Sequence, residues 1–349
     1  RSLSSTGTSV AELPEVSVCV TTRDRAHLLP RLVEALEAQT LGVSNFEVVV
    51  TDDGSVDDTF SVLRNLAESS SLQLRPLRHR SSRGPGAGRN LAWQTARGGI
   101  VAFIDDDCVP TPGWLEAHLQ AQTRAEITQG RVEADSPPGQ ECGPFARSVS
   151  VPDENGLYET CNICYRRQWL VKMGGFDGAF RKSGEDADLA WRAKGSGAST
   201  AFVPDALVYH DVNPSSWRRA MRDTLRWTGV VRLVDRHPHL RSRFGSGPTW
   251  RKSHAPAALA AGGIAAASGA LLAGRPRLAL GALIAVVPYA RHRLRVEPLG
   301  SSRSERILLV PPQLAIDVAE AVVIVSTRAR LRFDRNSRAT PAHEGRRAL

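Results

Sequence analysis

Along the first hundred residues, apolar runs of strand length alternate with apolar residues at helical spacing. The runs 16–22, 46–51 and 100–104 are β-branched or wholly apolar, a pattern that predicts buried strands. Asp24 is a candidate helix cap, and apolar residues follow it at helical spacing: Leu28, Leu29, Leu32, Val33 and Leu36. Near-continuous apolar strands that alternate with helices predict an α/β, doubly wound fold. Its mixed, mostly parallel sheet should be covered on both faces.

Three polar clusters directly follow these runs, at residues 21–25, 52–55 and 105–107. Ligands of open parallel sheets bind beyond the carboxyl ends of the strands, so we expect the three clusters to converge on one edge. The last cluster is Asp105-Asp106-Asp107, whose carboxylates repel one another unless a cation lies among them. Oxygen ligands suit Mg²⁺ or Mn²⁺ and leave room for substrate phosphates. The alternative is a solvated acidic turn or a helix cap.

Two later positions extend the candidate site. Glu185 and Asp186 stand at a predicted helix start, where the helix dipole keeps a carboxylate ionised and suited to act as a general base. Helix capping is the alternative interpretation. His210 follows an apolar run and is either a buried core histidine or a nitrogen ligand to the same metal. Cys161 and Cys164 have the spacing of a redox or zinc pair, but the sequence has no second pair and their roles stay open.

The chain changes character after residue 215. Residues 216–250 predict a basic amphipathic helix and linker on an anionic membrane surface, with an arginine face over an ordinary core as the alternative. The predicted apolar face of that helix holds Trp217, Met221, Thr224, Leu225, Thr228 and Val231. Residues 255–274 and 278–290 predict an apolar helical hairpin. The stretch 307–325 carries Asp317 and Glu320, which favours an interfacial or docked helix over a span.

Composition narrows the choice of partners. The 349 residues carry a formal net charge of +9, almost wholly from arginine, which suits phosphates and anionic lipid headgroups alike. This charge makes a basic nucleic-acid-binding protein an alternative. We disfavour it because the sequence has no recognised nucleic-acid module and much of the charge lies beside the late apolar stretches. Five cysteines, an odd number, and a polar start without an apolar leader core favour the cytoplasm over export.

Taken together, the motifs resemble those of the family-two glycosyltransferases, which are inverting enzymes with the GT-A fold. The resemblance runs from about residue 16 to residue 210 and rests on the order and spacing of the motifs. They are VSVxVTTxDR at 16–25, TDDGS at 51–55, GRN at 88–90, FIDDD at 103–107, GGFD at 174–177, GEDADL at 184–189 and YH at 209–210.

The resemblance implies a role for each matching residue. Thr21 and Arg23 would border the nucleotide, and Asp53 would accept a hydrogen bond from the base. Arg89, Asp105 and Asp106 would belong to the donor pocket, with Asp105 facing the ribose or sugar. Asp107 would ligate the metal that bridges the two phosphates, with Asp105 and His210 as further candidate ligands. Asp186 would be the base, with Glu185 beside it, and Gly174, Gly175 and Phe176 would form the turn near the sugar and the acceptor.

The resemblance also implies the substrates and the layout of the chain. The donor would be a nucleotide-diphosphate sugar, first of all a UDP-sugar, used with Mn²⁺ or Mg²⁺, and the acceptor a glycan or lipid-linked hydroxyl, with no nucleic acid involved. Residues 216–330 would hold the protein at the cytoplasmic face of the cell membrane, peripherally or by a hairpin anchor.

We expect a disordered polar tail at 1–13 and a catalytic domain at 14–215, divided into a nucleotide-binding half at 14–110 and an acceptor half at 111–215. The amphipathic helix and linker at 216–250 would follow, and then the apolar helices and basic tail at 251–349. A nucleotidyltransferase or an inactive sugar-nucleotide-binding module is the alternative. The Gln-x-x-Arg-Trp motif of processive members has Asp223 in place of its glutamine, so a processive polymerase is not expected.

Overall fold

The structure is a computed structural model that describes residues 13–135, 143–244, 250–295 and 302–339. The predicted polar tail, apart from Leu13, and the end of the predicted basic tail at 340–349 lie outside the described residues. The chain forms two compact units. The first contains 13–135, 148–181 and 185–211, and the second contains the other described residues.

The first unit contains one eight-stranded sheet. Its strands are β1 Val16–Thr22, β2 Phe46–Asp52, β3 Gln73–Arg78, β4 Ile100–Ile104, β5 Cys108–Pro110, β6 Ile127–Asp135, β7 Asn162–Arg166 and β8 Thr200–Asp211. Their order across the sheet is β3-β2-β1-β4-β7-β6-β8-β5. Strands β1 to β4 pair in parallel, β7 is antiparallel to β4 and β6, and β8 is parallel to β6 but antiparallel to β5. The predicted mixed sheet is confirmed.

Six helices of the first unit accompany the sheet: α1 Leu29–Glu37, α2 Thr59–Ser69, α3 Pro85–Thr95, α4 Trp114–Gln122, α5 Arg167–Met173 and α6 Glu185–Gly195. Successive residues of a strand point to opposite faces, and the strands use both. In β1, Val18 and Val20 join a core with α1, α2 and α4, whereas Cys19 joins a second core with α3, α5 and α6. The centre of the sheet is therefore buried on both faces, which explains why β1, β2 and β4 are mostly apolar.

The predicted cap of the first helix is wrong. Leu28, not Asp24, occupies the N-cap position of α1, and no side chain caps that end. Asp24 has a φ of +51°, and its carboxylate accepts a hydrogen bond from the backbone of Val56 at 2.8 Å. Asp24 instead joins the loop after β1 to the loop after β2.

The second unit is helical. Its helices are α7 Trp217–Asp223, α8 Trp227–Arg236, α9 His254–Leu272, α10 Pro276–Leu283, α11 Val287–Arg295 and α12 Arg303–Ala339. One cluster packs Trp227 and Val231 of α8 against Ile324 of α12. A second packs Ala257 and Ala260 of α9 against Tyr289 of α11. Helices α9 and α12 are long and apolar enough to cross a membrane, by length and composition alone.

The predicted apolar face of the segment after residue 216 is wrong in part. A 3-10 turn at Thr224–Arg226 separates α7 from α8. Trp217 and Leu225 are each 47% exposed, whereas Trp227, which was not assigned to the face, is buried. Because the turn rotates the second helix relative to a continuous α-helix, a single helical period does not describe the segment. The four arginines of this segment, which form its arginine face, are exposed: Arg218, Arg219, Arg222 and Arg226.

Asp317 and Glu320 are buried in the second unit at 0% and 2% exposure. Asp317 accepts hydrogen bonds from Ser253, Tyr289 and Arg293. Glu320 lies 3.2 Å from His254 and 3.3 Å from Arg251. The two carboxylates thus hold α12 to α9 and α11, as buried charges require.

Candidate active site

The aspartate triplet lies at the carboxyl end of β4, next to the loop that follows β1. The guanidinium of Arg25 donates from Nη1 to Oδ1 of Asp106 at 2.6 Å and to Oδ2 of Asp107 at 2.9 Å. Both aspartates are 4% exposed. Burial raises the pKa of Asp106 to about 6, Arg25 opposes the rise, and the charge of Asp107 adds to it. One arginine therefore compensates two buried carboxylates that would otherwise repel each other.

His210 lies on the other side of Asp107. Its Nε2 is 3.5 Å from Oδ1 of Asp107, and its Nδ1 is 2.9 Å from the carbonyl oxygen of Asp211. A carbonyl oxygen can only accept, so Nδ1 donates to it, and Nε2 is the ring nitrogen that faces Asp107. A metal-ligating histidine is oriented in the same way, by donating its other ring N–H to a backbone carbonyl.

The donor set at this point fits a divalent cation. A carboxylate oxygen of Asp107, a ring nitrogen of His210 and the Sγ of Cys108 lie within 4.8 Å of one another, and all three residues are buried. Carboxylate, imidazole and thiol groups are all ligands of divalent transition metals. Asp107 and His210 are two of the three metal ligands that the sequence predicted. Asp105, the third, is not in this group among the described residues and pairs with Arg89 instead, and Cys108 is an addition.

Arg89 connects the triplet to the start of α6. It is 8% exposed and donates to Oδ1 of Asp105 at 3.0 Å and to Oε1 of Glu185 at 2.9 Å. Although burial opposes it, the nearby Arg89 and His210 hold the pKa of Asp105 below its ordinary value. Through Arg89, the strand end and the first turn of α6 form one continuous ion-pair network.

Asp186 differs from Glu185 in its surroundings and in its exposure. Burial raises the pKa of Asp186 to about 7, and the adjacent charge of Glu185 adds to the rise, whereas Arg89 opposes it. Glu185 is 5% exposed and is paired with Arg89, but Asp186 is only partly buried. A carboxylate with a pKa close to neutral is suited to take a proton from a substrate hydroxyl.

Thr21 occupies the end of β1 in close contact with α3. A Cβ at Gly88 would lie 2.4 Å from Cγ2 of Thr21, so only glycine fits at this position of the helix. Arg23 is exposed and pairs with Asp24 at 3.4 Å. The two residues predicted to border a nucleotide therefore lie at the carboxyl end of β1, Thr21 within the strand against α3 and Arg23 just after it towards solvent.

Asp53 is enclosed by the loop after β3. Its carboxylate accepts from Ser82 Oγ at 2.8 Å and from the backbone of Arg83 and Gly84 at 2.9 Å, and lies 2.7 Å from Nδ1 of His79. These hydrogen bonds lower the pKa of Asp53 although burial opposes them. The described contacts of Asp53 fix the loop 79–84, and a base could bind the carboxylate only by sharing or replacing one of these donors.

The turn at 174–176, which was predicted to lie near the sugar, is fixed by hydrogen bonds with Asn90. Asn90 donates to the carbonyl of Phe176 at 2.8 Å and accepts from its backbone N–H at 2.9 Å. Gly175 has a φ of +72°, and a Cβ there would lie 2.4 Å from Oδ1 of Asn90. Phe176 is buried against Phe103, and Gly174 is exposed. Asn90 therefore has a structural role, and Gly174 is the exposed residue of the three.

The cysteine pair of the sequence does not form a metal site. Cys161 and Cys164 are buried free thiols, and burial raises the pKa of each well above its ordinary value. Within the described ranges, neither belongs to a group of side chains that could hold a metal ion.

Sequence reasoning missed Arg25 and Cys108. Arg25 ends the first motif of the chain, but its local sequence contains nothing that pairs it with a strand end about eighty residues later. Cys108 follows the triplet directly and reads as an ordinary apolar position. Its proximity to His210 depends on the register of β5 and β8, in which Cys108 and His210 are directly opposite.

Comparison with known families agrees with this architecture. The model of the glycosyl transferase family 2 matches residues 17–183, and the model of the glycosyl transferase family group 2 matches residues 158–291. The fold is of the GT-A type. Over residues 17–183 the chain is similar to the family-2 glycosyltransferases.

Individual relatives are similar at moderate identity. Glycosyltransferase AglE of Haloferax volcanii is 29% identical over 58% of this chain and 68% of its own length. The pre-mycofactocin glycosyltransferase of Mycobacterium tuberculosis is 29% identical over 64% of this chain, which spans 48% of that relative. A GalNAc(5)-diNAcBac-PP-undecaprenol beta-1,3-glucosyltransferase of Campylobacter jejuni is 32% identical over 31% of this chain and 34% of its own length.

Solved structures share the fold. The mannosyltransferase PcManGT of Pyrobaculum calidifontis, in complex with GDP-Man and Mn²⁺, has a TM-score of 0.56 at 18% identity over 90% of this chain and 88% of its own. Residues 1–349 of S. aureus TarS, in complex with UDP-GlcNAc, have a TM-score of 0.50 at 19% identity over 90% of this chain and 92% of that one.

Proposed function

We propose that this protein is an inverting glycosyltransferase. It moves a sugar from a nucleotide-diphosphate sugar, which we take to be a UDP-sugar, to a hydroxyl of a lipid-linked or polysaccharide acceptor. The observation that carries the proposal is that Arg89 pairs with both Asp105 and Glu185. Asp105 lies two residues before Asp107, which is next to His210, and Glu185 directly precedes Asp186. The names of similar proteins support the substrate classes, since they include a UDP-GlcNAc complex and a PP-undecaprenol acceptor.

The residues divide the chemistry between two ends of the site. Asp107 and His210 would hold a divalent cation, Mn²⁺ or Mg²⁺, which stabilises the negative charge that develops on the leaving diphosphate. Asp186 takes the proton of the acceptor hydroxyl while that oxygen attacks the anomeric carbon. A single attack from the face opposite the leaving group inverts the configuration at that carbon.

Glu185 and Arg89 position the base rather than exchange protons. Glu185 is committed to the ion pair with Arg89, which is itself held by Asp105. Arg89 thereby fixes the first turn of α6 relative to the end of β4. Its positive charge also keeps the pKa of Asp186 from rising further, so that part of the population is ionised at neutral pH.

The function is tested with the Asp186→Asn variant of the full chain. Donor binding is measured by calorimetry across UDP-, TDP- and GDP-sugars with Mn²⁺, and transfer is measured with a lipid-linked acceptor and with a polysaccharide acceptor. We expect kcat to fall by roughly 10²–10⁴-fold while the dissociation constant of the donor stays unchanged. The matched control is Asp205→Asn, the same change at an exposed position. Unchanged transfer in Asp186→Asn rejects its role as the base, and binding of no sugar nucleotide rejects the transferase.

We further propose that the second unit associates with the cytoplasmic face of the cell membrane. Four side chains of its apolar helices support this, Leu272, Leu280, Ile284 and Leu308, which are 91%, 72%, 70% and 75% exposed. Arginines beside them suit anionic headgroups. The surface fits an interfacial or inserted set of helices better than contact with water.

Vesicle flotation tests the membrane proposal. The full chain should float with vesicles that contain anionic phosphatidylglycerol. The double variant Leu280→Gln with Ile284→Gln should float less, because each change removes apolar area from the bilayer contact. A control of equal size in the first unit, Leu13→Gln with Val171→Gln, should float as the unaltered protein does. Equal flotation of both double variants would remove α10 from the contact.

A further inference from the structure

Cys108 is placed beside His210 by strand pairing. It is the first residue of β5, which is antiparallel to β8, and its register partner is His210. Directly opposite residues of an antiparallel pair carry their side chains on the same face of the sheet, so the thiol and the imidazole are neighbours. Asp107 immediately precedes β5, and its carboxylate lies within the same 4.8 Å group. Three different ligand types therefore converge at the end of one short strand.

The three side chains are buried and oriented for ligation. Asp107, Cys108 and His210 are 4%, 1% and 6% exposed. Nε2 of His210 is 3.5 Å from Oδ1 of Asp107, longer than an ordinary hydrogen bond. Ser148 donates from Oγ to the carbonyl of His210 at 3.0 Å and so holds the backbone of this residue in place. The distance from Nε2 to Oδ1 is similar to the distance between two atoms that ligate the same cation.

Arg25 and His210 contact different oxygens of the Asp107 carboxylate. Nη1 of Arg25 contacts Oδ2, whereas Oδ1 is the oxygen closer to His210. A cation between Oδ1, the imidazole and the thiol would not have to displace the guanidinium. The second carboxylate in contact with Arg25 is Asp106, which takes part of the same positive charge.

We propose that Cys108 is a third protein ligand of the divalent cation, and that this thiol makes the site selective for transition metals over Mg²⁺. The inference rests on the proposed cation at Asp107 and His210 and deepens it. Imidazole and thiolate bind Zn²⁺, Co²⁺ and similar ions well, whereas Mg²⁺ requires oxygen ligands. Binding converts the thiol to a thiolate, and the released proton passes to the buffer as the metal–sulfur bond forms. Three protein ligands leave at least one coordination position for a diphosphate oxygen.

Cobalt titration of the full chain tests the proposal, because a cobalt–thiolate bond produces an ultraviolet charge-transfer band that oxygen and nitrogen ligands do not. The unaltered protein should show the band and release one proton for each cobalt bound. Cys108→Ser should lose the band and bind Co²⁺ at least about 10-fold more weakly, with its Mg²⁺ affinity unchanged. The matched control is Cys161→Ser, the same change at another buried thiol, which should keep the band.

X-ray absorption of the unaltered protein gives a second measurement that does not depend on the folding of any variant. With bound Zn²⁺, we expect one sulfur neighbour at about 2.3 Å. A shell of oxygen and nitrogen alone, or a band that survives in Cys108→Ser, would overturn the ligand role of Cys108. Sugar-nucleotide binding with Mg²⁺ would then still support the transferase, so the two proposals fail on different results.

Discussion

Arg25 and Asp107 are joined through one oxygen of the carboxylate, while the other oxygen faces the histidine. Nη1 of Arg25 lies 2.9 Å from Oδ2 of Asp107, and Oδ1 of the same carboxylate lies 3.5 Å from His210. The same Nη1 is 2.6 Å from Asp106. One arginine from the loop after β1 thus balances two charges at the end of β4 and still leaves a ligand atom on Asp107.

Replacing Arg25 should destabilise the protein in a pH-dependent manner. The pKa of Asp106 is about 6, so Asp106 is ionised at pH 8 in the unaltered protein, and Arg25→Ala removes the guanidinium that compensates its charge. We expect the free energy of unfolding to fall by about 1–3 kcal/mol at pH 8 and by less at pH 5, where Asp106 is protonated. Urea denaturation at the two pH values measures the difference. The exposed Arg64→Ala should change little at either pH, and an equal loss at both pH values for Arg25→Ala would contradict the ion-pair argument.

Asp186→Asn should make the protein more stable at high pH. The unfolded carboxyl ionises near pH 3.8, whereas the folded one stays protonated up to about pH 7. Between these values the folded state binds the extra proton, so the stability of the unaltered protein falls as pH rises. The variant should exceed it by a margin that grows from pH 4 to pH 7 and then stays level, on the order of 4 kcal/mol. Thermal unfolding across this range measures the margin, and a constant margin would show that Asp186 has no raised pKa.

The same pKa sets the expected pH dependence of transfer. A general base must be ionised to accept a proton, so kcat/KM of the free enzyme should rise with pH through about 7. Steady-state rates with saturating cation from pH 5.5 to 8.5 would show the rise. Asp205→Asn should leave the profile in place, and a profile with its midpoint near pH 4 would mean that the base is an ordinary exposed carboxyl.

The contact of Gly88 with Thr21 gives a prediction about packing. A methyl group at position 88 would lie 2.4 Å from Cγ2 of Thr21. Gly88→Ala should therefore cost about 1–3 kcal/mol in the free energy of unfolding. Adding Thr21→Ala removes the obstructing atoms, so the double variant should lose less than the sum of the two single losses. Gly99→Ala, which has open space, is the control. Additive losses would mean that the two residues do not touch.

The sequence predicted the sheet better than its helices. The strands β1, β2 and β4 were predictable because both of their faces are buried, so apolar residues occur on both faces instead of alternating with polar ones. Helix α3 starts at Pro85, three residues before the GRN motif, because proline is favoured in the first turn, where its missing N–H costs nothing. The prediction that Asp24 caps the first helix was wrong because the Asp24 carboxylate accepts a hydrogen bond from the loop after β2 instead. The local sequence contains no pattern that encodes such a bond.

The candidate site was predictable only where residues lie in recognisable motifs. The triplet, His210 and Asp186 were singled out from their motifs, and the structure brings Asp107 and His210 to 3.5 Å of each other. Arg25 forms an ion pair with Asp106, 81 residues later in the chain. Cys108 lies opposite His210, 102 residues later, through the pairing of β5 and β8. Such contacts depend on topology, which a single sequence states only indirectly.

The buried carboxylate of Asp317 should determine the local stability of the second unit. It accepts from Tyr289 at 2.8 Å and pairs with Arg293, so Asp317→Ala leaves a buried guanidinium uncompensated. Breaking such a pair costs about 3 kcal/mol, which corresponds to roughly 100-fold faster amide exchange in α11. Hydrogen–deuterium exchange of residues 287–295 measures this loss. The exposed Asp334→Ala on the same helix is the control and should leave exchange unchanged.

Adding Arg293→Met to Asp317→Ala should restore part of the protection, because two apolar groups in contact require no counter-charge. If the double variant exchanges as fast as the single one, packing around Asp317 rather than its charge holds α12 to α11.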